Sequence, residues 1–106
     1  MDWLVLWMAL ALPRVSLVVS PRIVMGGHST RLECRVARHP ENRQLRYGLA
    51  EWSESERQLD GERAQVVWTT TLQVPCGEWV AYCLVVDATG KHWQARQSVT
   101  AICGEA

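Results

Sequence analysis

Four cysteines and three histidines are the residues of this 106-residue chain with the widest range of chemistry. A cysteine can act as a nucleophile beside a basic histidine, bind a metal, or form a disulfide. None of the four belongs to a Cys-x-x-Cys pair, and the spacing from Cys76 to Cys83 is too wide to indicate a zinc site. An even number of cysteines in a short chain favours disulfides in an oxidising compartment, and four cysteines allow three pairings. We therefore expect no metal and no cofactor.

Two of the cysteines lie in apolar rows of alternating segments. Cys34 alternates with charged residues in Leu32-Glu33-Cys34-Arg35-Val36, and Cys83 shares one face with Trp79, Ala81 and Val85. Burial in such a row would raise the pKa of a thiol and disfavour the nucleophilic thiolate, so the pattern favours disulfides over catalysis. His28 and His39 flank one predicted strand at opposite ends and are interpreted as loop residues, whereas His92 lies in the predicted last strand.

The charge balance and the absence of catalytic motifs narrow the function. The formal net charge is zero, which gives no basic surplus for nucleic acid or an anionic membrane. Gly-rich phosphate loops, Gly-x-Ser-x-Gly elbows and His-Glu-x-x-His pairs are missing from the sequence. Glu54 and Glu56 lie in a polar segment and are expected to be exposed acids, without the cleft that acid-base catalysis needs. We predict a protein that is not an enzyme; the alternative is a small secreted enzyme or inhibitor using a histidine and a carboxylate.

The charges are unevenly spread along the chain. Residues 28–50 are rich in arginine, whereas residues 51–63 are rich in glutamate and aspartate. This pattern has two interpretations, a bipolar docking surface with Arg and Trp anchors, or solvated faces of neighbouring strands that neutralise one another.

The amino terminus carries an apolar run from Trp3 to Leu12. Its length is that of a signal-peptide core and is too short to span a bilayer, so no integral membrane span is expected. We predict that residues 1–20 are a signal peptide, cleaved after Ala11 or Ser20, or a retained apolar segment. Residues 21–106 are predicted to be the folded domain.

The remaining chain reads as short strands separated by turn signals at intervals of roughly ten residues. This spacing predicts an all-β, seven-stranded antiparallel β-sandwich. Residues 53–62 are polar and acidic and are interpreted as a crossing between sheets. Four tryptophans are expected to supply most of the aromatic bulk of the folded part: Trp52, Trp68, Trp79 and Trp93.

The Leu32-x-Cys34-x-Val36 strand, the acidic crossing, and Ala81-Tyr82-Cys83 before a hairpin resemble the immunoglobulin-like and fibronectin-type-III-like sandwiches. The run Pro75-Cys76-Gly77-Glu78-Trp79-Val80 is also similar to bacterial and phage-encoded immunoglobulin-like modules. The tyrosine stands one residue before Cys83 where the family has it two before, and no tryptophan matches the one on the family's third core strand.

The resemblance implies a bridge from Cys34 to Cys83 between the sheets. With that pair given, Cys76 enters the central strand and Cys103 ends the strand that returns antiparallel beside it, so these two are expected to pair. The resemblance also implies a binding or display role. The protein is then expected to be secreted, periplasmic, or on the surface of a cell or virion.

Loops at one end of the sandwich are the predicted recognition surface, because loops on a rigid scaffold tolerate variation. The predicted loops are residues 38–43 and 53–61. The turn at residues 87–90 is assigned to an end of the sandwich by counting the strands that precede it. Another protein or a surface glycan is the expected partner. A further alternative is a piece of a larger surface or virion protein whose edge strands pair with a neighbour. The candidate contacts are Arg38, His39, Asn42, Arg43, Glu54, Glu56 and Asp60.

Overall fold

The structure, a computed structural model, describes residues 14–64 and 66–103. Within these ranges the chain is all-β, as predicted, and no helix is long and apolar enough to cross a membrane. A single 3-10 turn, Gly61–Arg63, interrupts the strands. The strands are β1 (Val15–Ser20), β2 (Ile23–Met25), β3 (Ser29–Val36), β4 (Asn42–Leu49), β5 (Ser53–Gln58), β6 (Val67–Gln73), β7 (Gly77–Asp87) and β8 (His92–Ile102).

The strands form two sheets that share one hydrophobic interior. The three-stranded sheet has the order β1-β3-β6, and the five-stranded sheet has the order β2-β8-β7-β4-β5. All neighbouring strands are antiparallel except β2 and β8, which run parallel. The prediction of seven strands, all antiparallel, is therefore wrong in both number and direction for the described part of the chain.

Residues 16–27, expected from the sequence to form one edge strand, divide into two strands at Pro21. Ser20 pairs with Arg31 in one sheet, whereas Ile23 pairs with Thr100 in the other. Proline has no N–H to donate to a ladder, so the chain can leave the first sheet there at little loss of hydrogen bonding. The carbonyl of Pro21 instead accepts a hydrogen bond from the Thr30 hydroxyl at 2.5 Å.

The acidic segment is a strand and does not cross between the sheets. β5 pairs along its length with β4, from Leu49 opposite Ser53 to Gln44 opposite Gln58. β5 is an edge strand, and its outward side chains are charged, as is usual where a sheet edge meets water. The crossing lies after it, between β5 and β6, and includes the 3-10 turn.

The predicted boundary between residues 20 and 21 falls inside the folded part, because Val15–Ser20 pair with β3 over their whole length. Val15 and Val19 of this strand are buried in the interior. The apolar run from Trp3 to Leu12 lies outside the described residues.

The interior is built around the disulfide between Cys34 and Cys83. Both cysteines are buried, one on β3 and one on β7, and their Cα atoms are 6.0 Å apart. Leu45, Tyr47 and Leu49, whose alternation in the sequence predicts one shared face, form the inner face of β4 and are buried. Tyr47 stands opposite Cys83 in the β4–β7 ladder, so a phenol ring packs beside the bridge.

The second disulfide joins Cys76 and Cys103 at the surface, where β7 begins and β8 has just ended. Their Cα atoms are 5.2 Å apart. Both pairings expected from the sequence are confirmed.

The tryptophans are less buried than predicted. Trp68, Trp79 and Trp93 are only half-buried, and 57% of Trp52 is exposed. The fully buried side chains are instead aliphatic or small: Leu32, Leu45, Leu49, Val74, Val85, Val99, Asn42, Thr30, Cys34 and Cys83.

We expect the two disulfides to contribute unequally to stability. Loop closure over 49 and 27 residues corresponds to about 4 and 3.5 kcal/mol, respectively. Replacing both buried cysteines by alanine also leaves a cavity, whereas C76S/C103S changes exposed positions and leaves none. Urea unfolding should therefore show a larger loss for C34A/C83A than for C76S/C103S. A fully reduced protein with an unchanged melting temperature would contradict the contribution of both bridges.

Candidate functional site

Some of the predicted loop residues do come together at one end of the molecule. The segment before β4 and the β7–β8 turn meet where the Ala88 N–H donates to the Glu41 carbonyl at 2.7 Å. The Arg38 guanidinium donates to the Glu62 carbonyl beside the 3-10 turn at 2.9 Å. Arg43 donates to the carbonyl of Pro40 at 2.6 Å. Many hydrogen-bonding groups at this end of the molecule are therefore already paired with other groups of the protein.

Asn42 is a buried residue that links Ala37 and Arg14 at this end of the molecule. Its amide N–H donates to the Ala37 carbonyl, and its amide oxygen accepts from Arg14, both at 2.9 Å. Arg14 in turn lies 5.0 Å from the centre of the Trp93 ring, which also has the Lys91 ammonium at 4.4 Å. Asn42 is thus a positioning residue for the loop and is not available as a surface contact.

Asp87 fixes the β7–β8 turn. Its carboxylate accepts hydrogen bonds from the Thr89 hydroxyl at 2.6 Å and from the backbone N–H groups of Thr89 and Lys91, both at 2.9 Å. These bonds, led by the one from the Thr89 side chain, lower the pKa of Asp87 to about 2.

The other candidate residues are spread over the molecule. His39 lies at the loop end, where its Nδ1 accepts from the Glu41 N–H at 3.0 Å, and Asp60 precedes the 3-10 turn there. Glu56 lies along β5 and pairs with Arg46 at 3.3 Å. Glu54 stands near the opposite end of the sheet, one residue after β5 begins. The structure therefore does not bring the predicted set into one site.

A different cluster, the Trp52 corner, forms at that opposite end. We define it by six residues: Glu51, Trp52, Ser53, Glu54, Trp79 and Tyr82. The ring of Trp52 lies 5.5 Å from that of Trp79, at an interplanar angle of 57°. The Trp79 indole N–H donates to the carbonyl of Pro75 at 2.8 Å, which fixes the inner ring against the start of β7. The exposed ring thus rests on a partner that is itself held in place.

The β4–β5 turn presents Trp52 through an unusual backbone. Glu51 has φ of 66°, a left-handed conformation that is uncommon for a residue with a side chain. Gly48 has φ of 150°, and a Cβ there would collide with the carbonyl oxygen of Ser53 on the paired strand. Such strain at an exposed turn is a recognised feature of binding sites, where the surrounding structure holds it.

Two clefts are lined in part by Trp52, and Ser53 lines both of them. One is about 300 Å³ and is lined by Leu49, Glu51, Glu54 and Tyr82 as well. The other is about 550 Å³ and is also lined by Gly27, Thr71, Leu72, Gln73 and Pro75. The hydroxyl oxygen of Ser53 is buried and has no hydrogen-bond partner among the described residues.

The smaller cleft is acidic. The Tyr82 hydroxyl donates to the Glu54 carboxylate across it, and burial, followed by this hydrogen bond, raises the pKa of Tyr82 well above its ordinary value. Among the described residues, neither Glu51 nor Glu54 belongs to a salt bridge, and no basic residue lines either cleft. The corner can therefore offer an indole face and carboxylate oxygens to a ligand.

Sequence reasoning missed the corner because it assigned Trp52 to the interior. The available signal was local: Trp52 is followed by an acidic segment, Ser53-Glu54-Ser55-Glu56, with no apolar residue to continue its row. Tyr82 was noted only for its position beside Cys83, although strand alternation places it on the outer face, where Glu54 lies.

Comparisons with known proteins leave the family open. No family model and no curated protein matches the chain. Among solved structures, an engineered protein is similar with a TM-score of 0.44 and 16% identity over 80% of this chain. The chain spans 20% of the length of that engineered protein. Within the described residues, no group of three or more His, Cys, Asp or Glu could hold a metal ion.

We expect Gly48→Ala to be more destabilising than Gly27→Ala. Both glycines have positive φ, and an alanine there costs about 1–2 kcal/mol for the backbone alone. A Cβ at Gly27 meets nothing, whereas one at Gly48 meets the Ser53 backbone, which adds about 1–3 kcal/mol. Urea unfolding of both variants measures the difference. Equal losses would show that the β4–β5 turn yields to the added methyl group.

The Tyr82 to Glu54 hydrogen bond predicts a specific loss of stability in alkali. The native state holds the Tyr82 proton more tightly than the unfolded chain, whose tyrosine pKa is near 10.0. The resulting stability is complete below about pH 10 and is lost as the pH rises toward the raised pKa of the native state. Glu54→Gln removes a charged acceptor and should make this loss shallower. Tyr82→Phe, which cannot ionise, is the matched control.

The measurement is the free energy of unfolding in urea between about pH 8 and pH 11. Identical pH dependence in the wild type, Glu54→Gln and Tyr82→Phe would show that the Tyr82 proton is not held more tightly in the native state.

Proposed function

We propose that the chain is an exported, immunoglobulin-like β-sandwich module that binds a partner through the Trp52 corner and is not an enzyme. The observation that carries the binding role is the exposure of Trp52 on a fixed aromatic support. Tryptophan is among the residues that contribute most to binding when they anchor an interface. A ring already held in place loses little conformational freedom when a partner covers it.

The strand order supports the immunoglobulin-like part of the proposal. In that fold one sheet contains strands A, B and E, the other contains C, F and G, and a disulfide joins B to F. Here β1, β3 and β6 occupy the first set of places, β4, β7 and β8 the second, and the Cys34–Cys83 disulfide joins β3 to β7. β5 beside β4 then takes the place of the additional strand found in variable-type domains.

Two family features are replaced by other residues. In place of the tryptophan expected on the third core strand, Tyr47 packs beside the disulfide. Tyr82 does not form the usual tyrosine corner, because it lies on the outer face and donates to Glu54. These replacements account for the two departures from the family pattern in the sequence.

Export is supported by the two disulfides, which form in oxidising compartments. The structure also favours one of the two cleavage positions predicted from the sequence. Cleavage after Ser20 would remove all of β1, including buried Val15 and Val19, whereas cleavage after Ala11 would leave this strand intact. We therefore propose that any leader is removed before Val15.

The alternative of a small enzyme or inhibitor has less support. His39 already uses Nδ1 to accept a backbone N–H, and His28 lies at the far end of β3 from it. Neither cleft beside Trp52 is lined by a histidine among the residues described.

The binding role can be tested by photo-crosslinking from position 52. Benzoylphenylalanine replaces Trp52 in one variant and Val18 in the other; Val18 is a similarly exposed apolar residue on the opposite sheet. The two proteins are added to cells of the source organism and irradiated. We expect a discrete adduct from position 52, absent from position 18 and suppressed by excess wild-type protein.

The competition step gives the proposal its sharpest control. Trp52→Ala protein should remain folded, with a loss of only about 1 kcal/mol from the Trp52–Trp79 ring contact, yet it should fail to suppress the adduct. Equal adducts from both positions, or equal competition by the Trp52→Ala protein, would exclude the Trp52 corner as the binding surface.

A further inference from the structure

The charge and shape of the Trp52 corner indicate what it binds. Resting on the proposed function, we infer that the corner takes an arginine side chain from an extended segment of a partner protein. The guanidinium enters the acidic cleft against Trp52, and a neighbouring apolar side chain of the same segment enters the larger cleft.

The electrostatics of the smaller cleft favour a cation. Glu51 and Glu54 both line it, and neither is neutralised by a salt bridge within the described part of the chain. The contrast with Glu56 is informative, because that neighbouring carboxylate on β5 is paired with Arg46. Two unpaired carboxylates beside an exposed ring attract a positive group and repel an acidic ligand.

The donor and acceptor set favours arginine over lysine. A guanidinium is planar, so it can lie on the indole face of Trp52 while its N–H groups point outward in the plane. Glu54 uses one carboxylate oxygen to accept from Tyr82, which leaves its other oxygen for the ligand.

The second cleft favours a polypeptide over a free cation. It shares Trp52 with the acidic cleft, is about 550 Å³, and is lined in part by Leu72 and Pro75. An arginine side chain occupies only the acidic side, so the larger cleft remains for a neighbouring group of the same ligand. Thr71 and Gln73, exposed on the edge strand β6, also line this cleft and present polar groups to such a segment.

The test compares two peptides that differ only in charge. A glycine-serine peptide carries one arginine beside a leucine, and its partner carries citrulline, a neutral side chain of nearly the same shape, in place of the arginine. Binding is followed by the NMR shift of the Trp52 indole N–H. We expect the arginine peptide to bind about tenfold more tightly, which corresponds to 1.4 kcal/mol. A third peptide, with lysine in place of the arginine, should bind with an affinity between those of the other two.

Protein variants then locate the interaction. Glu51→Gln and Glu54→Gln should each weaken the arginine peptide about fivefold and leave the citrulline peptide nearly unchanged. Glu62→Gln, an exposed substitution of the same type at the opposite end, should change neither. Trp52→Ala, followed through a fluorescent label on the peptide, should abolish the preference for arginine.

The outcomes separate this inference from the proposed function. Equal affinity for the arginine and citrulline peptides, or an arginine preference that survives Trp52→Ala, overturns the inference. A neutral oligosaccharide that binds in a Trp52-dependent way while neither peptide does would also overturn it, and would leave the binding role of the corner intact. Failure of the crosslinking from position 52 removes the proposed function and this inference together.

Discussion

The covalent bridge between Cys34 and Cys83 is the constraint on which the rest of the structure depends. The interior has few large side chains, since its tryptophans are only half-buried or exposed. A domain of this size buries a smaller share of its surface than a larger one, so cross-links supply stability that packing alone would not. The bridge fixes β3 against β7 near the middle of both sheets, and Tyr47, Val36 and Val85 pack around it.

The bridge also explains how much of the fold was predictable from the sequence. Inward cysteines in alternating rows identified β3 and β7, and the same alternation found the inner face of β4. Those strands are buried on one side, so their pattern reports the fold directly. β5 has no apolar row, because serines point inward and glutamates point outward, and it was taken for a crossing. The position of β5 is set by its pairing with β4, and the sequence of β5 alone does not indicate that pairing.

The candidate site was less predictable than the fold, for a related reason. The loops at one end were predicted as the site because they are polar. In the structure, however, the side chains of Asn42, Asp87 and Arg38 form hydrogen bonds within the protein. The Trp52 corner depends on residues far apart in the sequence, with Glu54 and Tyr82 on strands that meet only through β4. Hydropathy places a tryptophan inside by default, whereas the β4–β5 turn places this one outside.

The surface disulfide links the stability of the fold to the order of the corner. Cys76 directly follows Pro75, whose carbonyl accepts the indole N–H of Trp79, the ring that supports Trp52. Cys103 ties this segment to the end of β8, and Gly26 lies so close to Cys76 that an added Cβ would contact its Sγ at 2.7 Å. The buried bridge therefore holds the sheets together, whereas the exposed bridge holds the base of the aromatic pair. A binding surface that depends on a fixed ring has a physical reason to carry a cross-link immediately beside it.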